Sequence, residues 1–187
     1  MQLEIPEIIQ TDRLWLQRLR YEDAEEIFYC YASKPAATRF VSWPTHQSIE
    51  ETRGFLSYAV SAWDKGLDYS FAIRLKIDRR LVGSIGIINE AGKIQIGYIV
   101  SPTFWGQGIA TEACREVVNL LQNLNGIYRI GTFIDAEHAV SARVLEKSGF
   151  VEEARLKNWF RFINQGNKPK DCILFNYPMQ EKNGHTQ

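Results

Sequence analysis

The chain has 187 residues; 45% are apolar, 24% are charged, and 22 basic side chains balance 22 acidic ones. That composition is ordinary for a soluble globular protein, and the length suits one domain spanning residues 1–187, with an ordered core over about 10–179 and a flexible tail at 180–187. A net charge of zero gives nucleic acid no basic excess to bind, no apolar run can span a membrane, and the opening Met-Gln-Leu-Glu-Ile-Pro-Glu lacks the features of a secretion signal, so a cytoplasmic protein is expected.

Taken in chain order, the first element is a half-buried strand over Arg13–Leu19, where Leu14 and Leu16 alternate onto one face. Ala24, Ile27, Phe28 and Tyr31 recur at helical spacing. Cys30, Cys114 and Cys172 form no Cys-x-x-Cys pair, so small apolar fillers in reducing surroundings are expected, with neither a disulfide framework nor a metal site. Ser48-x-x-Glu51 reads as a capping box opening a helix that buries Phe55, Leu56, Ala59 and Trp63 and closes at Gly66. Three antiparallel strands follow, Tyr69–Ile77, Leu81–Asn89 and Lys93–Val100, with turns at Asp78-Arg79 and Glu90-Ala91-Gly92. Gly83 and Gly86 inside the second of these point to a bulge or to the close approach of another group.

Beyond Pro102 comes a glycine loop, Gly106 and Gly108, and then a helix with an apolar stripe of Ala110, Ala113, Val117, Leu120, Leu121 and Leu124. A strand over Tyr128–Ile134, a helix over Ala139–Lys147 ended by Gly149, and strands over Phe150–Lys157 and Cys172–Pro178 complete the chain, with a polar loop at Asn164–Lys170. No repeat or linker divides it. The order predicts an α+β fold: a mixed, mostly antiparallel central sheet of about seven strands with helices on both faces.

The strand, glycine loop and helix start over Gln95–Leu124 form the chemically informative stretch. Glycine lets a ligand approach the backbone, and the first amides of a helix have no acceptor inside it, so this is an anion site suited to phosphate. A P-loop is excluded because no Lys follows Gly108. A dinucleotide fingerprint fits poorly, since Thr111 stands where a small packing residue belongs and about ninety residues come first.

Trp105-Gly-Gln-Gly108-Ile-Ala110-Thr-Glu-Ala113 resembles the pyrophosphate loop of the GNAT N-acetyltransferases, Gln/Arg-x-x-Gly-x-Gly/Ala, with Trp105 in the Gln/Arg place. The ribosomal-protein N-terminal acetyltransferase branch (RimJ/RimL-like) is resembled more widely. Its signatures are matched by Thr11-Asp-Arg-Leu14, Trp43-Pro44 with His46-Gln-Ser48, Tyr128-Arg129-Ile130, the run from Asp135 through His138 and Ser141 to Leu145-Glu-Lys-Ser-Gly149-Phe150, and Asp171. The resemblance covers roughly residues 10–179.

It implies a GNAT-like sheet and acetyl transfer from acetyl-coenzyme A, as cosubstrate and without a metal, to a primary amine by direct attack through a tetrahedral intermediate. The cofactor would be held by Trp105, by the backbone amides of Gly106, Gln107, Gly108, Ile109, Ala110 and Thr111, and by Ile99 and Val100 along the pantetheine arm, with an amide near Ile99 as oxyanion donor. Ser141 stands at the family's Ser and is the candidate acid for the departing thiolate. His138 stands where the family has Asn, as a pantetheine contact or as the base, its ordinary pKa near 6.5 suiting that role. Gln95 replaces the branch's Glu; it cannot accept a proton near pH 7 but can order a water. Glu90 is a weaker alternative base, and His46 reads as loop structure or a substrate contact. Trp43, Trp159 and Phe160 are either core or the lining of an acceptor pocket.

A weakened base favours an amine that is already partly neutral, so the expected acceptor is the N-terminal α-amine of a protein or peptide. A small amine such as an antibiotic, polyamine or amino acid, and a non-catalytic acyl-coenzyme A-binding module, are the alternatives. A monomer or homodimer is expected.

Overall fold

A computed structural model describes residues 1–179; the tail expected at 180–187 lies outside the described residues. Eight strands form one sheet in the order β1-β2-β3-β4-β5-β6-β8-β7. These are β1 Ile8–Gln10, β2 Leu14–Arg18, β3 Asp68–Leu75, β4 Leu81–Glu90, β5 Lys93–Val100, β6 Arg129–Asp135, β7 Val151–Arg161 and β8 Pro169–Asn176. The strand beyond the expected seven is β1, three residues long and too short to show an alternation; it pairs with β2 at the sheet edge. Every pairing is antiparallel except that of β5 with β6.

The helices are α1 Ala24–Ile27, α2 Pro35–Thr38, α3 Ile49–Asp64, α4 Ile109–Asn123 and α5 Ala139–Lys147, and a π-helical turn at Phe28–Ala32 extends α1. The capping box at α3 is only half formed. Ser48 Oγ accepts the Glu51 amide at 3.3 Å, but the Glu51 carboxylate accepts the Gln47 amide instead of that of Ser48. Gly66, at φ +70°, then turns the chain into β3. The buried stripe of α4 is Ile109, Ala113, Cys114, Val117, Val118 and Leu121, rotated from the expected one so that Ala110 and Leu120 sit at its margin.

Two apolar clusters sandwich the sheet. One packs α4 and Leu145 of α5 against Leu14, Phe71, Ile85 and Ile96; the other packs Ile27, Tyr31, Leu56 and Ala59 against Ala72 and Leu81. Cys114 and Cys172 are buried and burial pushes all three thiols up to about 11, as expected of fillers. The polar stretch at Asn164–Lys170 is only partly loop: Pro169 and Lys170 begin β8, which inserts between β6 and β7.

The feature that positions the site is the join between β5 and β6. They pair only over Lys93–Gln95 opposite Arg129–Gly131. Beyond Gln95, β5 continues to Val100 with no strand on that side, while β6 pairs with β8 from Gly131 to Asp135. A wedge opens in the middle of the sheet, with α4 leaving the end of one strand and α5 the end of the other.

Candidate active site

The loop at the mouth of the wedge is shaped by glycine. Gly106 and Gly108 both sit at φ +75°, a left-handed conformation that costs other residues about 1–2 kcal/mol, and Gly108 is the N-cap of α4. The first bond of the helix runs from the Glu112 amide to the Gly108 carbonyl at 3.0 Å, which leaves the amides of Gly108, Ile109, Ala110 and Thr111 without acceptors inside the helix. A Cβ at Gly106 would meet nothing within 4 Å. Trp105 Nε1 donates to the Val100 carbonyl at 2.8 Å, folding the loop back onto β5. This is an open group of helix amides of the kind that binds anions, and it falls within the stretch Gly106–Thr111 expected from the sequence.

One acidic residue stands in the first turn of α4, where it would repel such a ligand. Its charge is met from the turn between β1 and β2. Glu112 accepts from the Thr11 hydroxyl, from the Arg13 amide at 2.9 Å and from Arg13 Nε at 2.6 Å, and Arg13 Nη1 also donates to the Gln107 carbonyl at 3.0 Å. Burial acts to raise the Glu112 pKa, but the bonds from Thr11 and Arg13 outweigh it and hold the carboxylate below its usual range. These residues border an open groove of about 730 Å³ beside Gly108, with Lys76, Arg115 and Lys147 on its far walls.

Inside the wedge the structure brings Ser141 of α5 to Tyr98 of β5. Their hydroxyl oxygens are 2.8 Å apart, and Tyr98 Oη also donates to the Ser141 carbonyl at 3.2 Å. Ser141 is buried, and burial pushes the Tyr98 pKa well up, so the phenol keeps its proton. The phenol has one proton to place, on the Ser141 carbonyl or on Ser141 Oγ; when it turns to Oγ, the serine proton is free to point elsewhere. Its aromatic position in the Gln-Ile-Gly-Tyr run was visible in the sequence, but its partner was not.

His138 is the N-cap residue of α5 and stacks on Phe40, with ring centroids 4.0 Å apart and planes 11° apart. Burial drives its pKa down to about 4, against an upward pull from Asp135 and with Arg39 adding to the fall. It is a neutral donor–acceptor at pH 7, and the ordinary value near 6.5 that favoured it as a base does not hold here. Gln95 is half-buried at the last position of β5 that pairs with β6, and its carboxamide bonds no described residue. Glu90 is exposed in the hairpin and paired with Lys93 at 3.0 Å.

The far wall is built from distant segments. Asn164 donates to the carbonyls of Thr38 and Trp43 at 2.7 and 2.9 Å and accepts from the Thr45 amide at 3.0 Å, tying the β7–β8 connection to residues 38–45. Nothing in the sequence around Asn164 signals this. His46 Nδ1 lies 2.8 Å from Thr52 Oγ1 and its ring 5.1 Å from that of Trp43, which makes it loop structure. Phe160 packs among Phe133 and Phe162, whereas Trp159 is exposed.

A splayed parallel pair with a helix-amide cradle at its mouth and hydroxyls inside it defines an acyl-coenzyme A-dependent transferase. The acetyltransferase (GNAT) domain matches residues 13–151, and the chain belongs to that family. It is 28% identical over 171 residues to the uncharacterized N-acetyltransferase YoaA of Bacillus subtilis, covering 90% of this chain and 94% of that protein. Among solved structures it resembles Mycobacterium smegmatis RimJ in complex with CoA-disulfide (TM-score 0.84, 21% identity, 98% of this chain and 93% of that one). It also resembles RimL, a ribosomal L7/L12 alpha-N-protein acetyltransferase, in complex with coenzyme A (TM-score 0.83, 18% identity, 92% and 98%). The protein is an acetyl-coenzyme A-dependent N-acetyltransferase. Among the described residues no group of three His, Cys, Asp or Glu side chains could hold a metal ion, and no helix is long and apolar enough to cross a membrane.

Proposed function

We propose that this enzyme acetylates the N-terminal α-amine of a protein or peptide, and the observation that carries the reading is the Tyr98–Ser141 pair standing in the wedge. Acetyl-coenzyme A supplies the activated acyl group. The amides of Gly106–Thr111 hold its diphosphate, Trp105 keeps the loop in place through the Val100 carbonyl, and the edge of β5 that faces the wedge, to which the alternation turns the Tyr98 and Val100 amides on either side of Ile99, aligns the pantetheine arm and offers an oxyanion donor. Ser141 gives its proton to the thiolate as the tetrahedral intermediate collapses. Tyr98, held protonated, backs the serine oxygen. His138 contacts the pantetheine arm as a neutral ring, and Gln95 orders a water at the base of the wedge.

The absence of a carboxylate at residue 95 favours a low-pKa acceptor. At pH 7 roughly a tenth of α-amines are neutral, against fewer than about one in a thousand lysine side chains. RimL, named for an alpha-N-protein substrate, shares the fold and supports the same class of acceptor. The test is thiol release with two versions of one peptide, one blocked at its N-terminus and one blocked at its lysines. The lysine-blocked peptide is expected to turn over faster; faster turnover of the N-blocked peptide overturns the assignment. A small amine is the second reading, favoured by the neutral aromatic stack of Phe40 and His138 at the wall.

A further inference from the structure

On the face of the sheet under α3, three residues stand side by side across three strands. Ser70 of β3 lies opposite Gly86 of β4, and Gly86 lies opposite Gly97 of β5. Opposed residues share a face, and Ala72, two residues from Ser70, belongs to the cluster under α1 and α3. With strands about 4.8 Å apart, the two glycines leave a lane of bare backbone roughly 10 Å long. A Cβ at Gly97 would meet nothing within 4 Å, so the lane is open at the strand that borders the wedge. A Cβ at Gly86 would stand 3.2 Å from Ser70 Oγ and 3.7 Å from Asp68 Oδ1, so those two groups close the other end. Gln95 and Ile88 rim one side of the lane, Ile99 and Ser84 the other.

Asp68 is only 8% exposed. Its carboxylate accepts one hydrogen bond, from Ser70 Oγ at 2.8 Å, and has no cation partner among the described residues. A buried carboxylate without a counter-ion costs stability, and burial raises its pKa against the lowering pull of the bond from Ser70. Tyr58 of α3 is the titratable side chain that senses its charge. Such a group at the closed end of an open polar lane has the marks of a functional residue.

We propose that Asp68 is the proton acceptor for the amine, reached through Ser70 and water lying over Gly86 and Gly97. The N–H bond of the acceptor breaks, and its proton passes along the water to Ser70 Oγ as the serine's own proton moves onto the Asp68 carboxylate. The freed electron pair on nitrogen attacks the thioester carbonyl. Gln95, on the rim, orients the water and takes no proton. This deepens the acetyl-transfer reading and rests on it.

The test uses the whole chain and thiol release from acetyl-coenzyme A with an acceptor that the wild type turns over. Asp68→Asn is expected to lower kcat about a hundredfold, leave the acetyl-coenzyme A KM within about twofold, and move the acid limb of the rate up to the pKa of the acceptor amine. With an amine already neutral at the assay pH, most of that loss should disappear. A folded D68N with wild-type kcat and an intact acid limb overturns the proposal, and so does an equal loss with neutral and protonated amines. Should D68N fail to fold, Ser70→Ala carries the same test: a kcat about tenfold lower supports the relay and an unchanged one overturns it. A wild type that releases no thiol with any amine overturns the acetyl-transfer reading and this inference with it. A working wild type with an unimpaired D68N overturns the inference alone.

Discussion

The two halves of the wedge are built in opposite ways. The half we assign to the cofactor is a continuous piece of chain, Val100 to Glu112, whose free groups are backbone amides fixed by two left-handed glycines and a helix start. The acceptor half is assembled from side chains far apart in sequence. Asn164 grips Thr38, Trp43 and Thr45, Phe40 stacks on His138, and Asp68 meets Gly86 through Ser70. A ligand shared by many enzymes can be held by backbone, which every sequence carries. A particular acceptor has to be recognised by side chains, and those change from one enzyme to the next.

The sharpest way to break this division is at the pair that joins the halves. Ser141→Ala is expected to lower kcat about a hundredfold in steady-state assays with little change in the acetyl-coenzyme A KM, because it removes a proton donor and no binding group. Tyr98→Phe, which leaves the serine in place, should cost about tenfold. A large rise in KM with an unchanged kcat would move Ser141 from proton transfer to cofactor binding.

On the cofactor side, Arg13→Ala should raise the acetyl-coenzyme A KM roughly tenfold, since it uncovers the Glu112 charge beside the diphosphate and frees the Gln107 carbonyl. The acceptor KM should hold. With S-acetylpantetheine, which lacks the diphosphate, the variant should match wild type. A loss of equal size with that donor would show that Arg13 only supports the fold.

On the acceptor side, Asn164→Ala should reverse the pattern. It should raise the acceptor KM several-fold at constant acetyl-coenzyme A KM, and denaturant melts should show a loss of about 1–3 kcal/mol, because the Thr38 and Trp43 carbonyls lose their donor.

The smallest effect is on stability against pH. The folded-state pKa of His138 lies at about 4, below the ordinary value near 6.5, so between those limits the unfolded chain binds a proton that the folded chain does not. Stability is therefore full above about 6.5 and declines as pH falls toward 4. His138→Gln should flatten part of that decline in melting temperature; His46, also lowered by burial, accounts for a further part.

Much of the scaffold was legible because its causes are local. The alternation of Leu14 with Leu16, the bounds of α5 at Ala139 and Lys147, the left-handed Gly66, Gly108 and Gly149, and the Ser48 cap depend on residues within a turn or two of one another. The extra strand Ile8–Gln10 was not legible, because three residues carry no period and form a strand only once β2 offers an edge. Gly83 and Gly86 were expected to mark a bulge or a close approach, and both occur: the register with β3 shifts between Ile73 and Arg74, opposite Gly83 and Leu81, a Cβ at Gly83 would strike the Ile99 carbonyl at 2.3 Å, and one at Gly86 would crowd Ser70. The sequence could not say what approaches.

By itself, then, the sequence determined the glycine loop and the helix start that follows it. Glycines that reach left-handed angles and a helix start that leaves amides free are properties of a short contiguous segment, whatever surrounds it. The tertiary structure alone decided that β5 and β6 part after Gln95, that Tyr98 meets Ser141, that Arg13 neutralises Glu112, and that Asp68 lies at the end of a glycine lane. Each of these joins residues tens of positions apart through strand order and register. Register follows from burying whole faces of the sheet at once, which no local pattern contains.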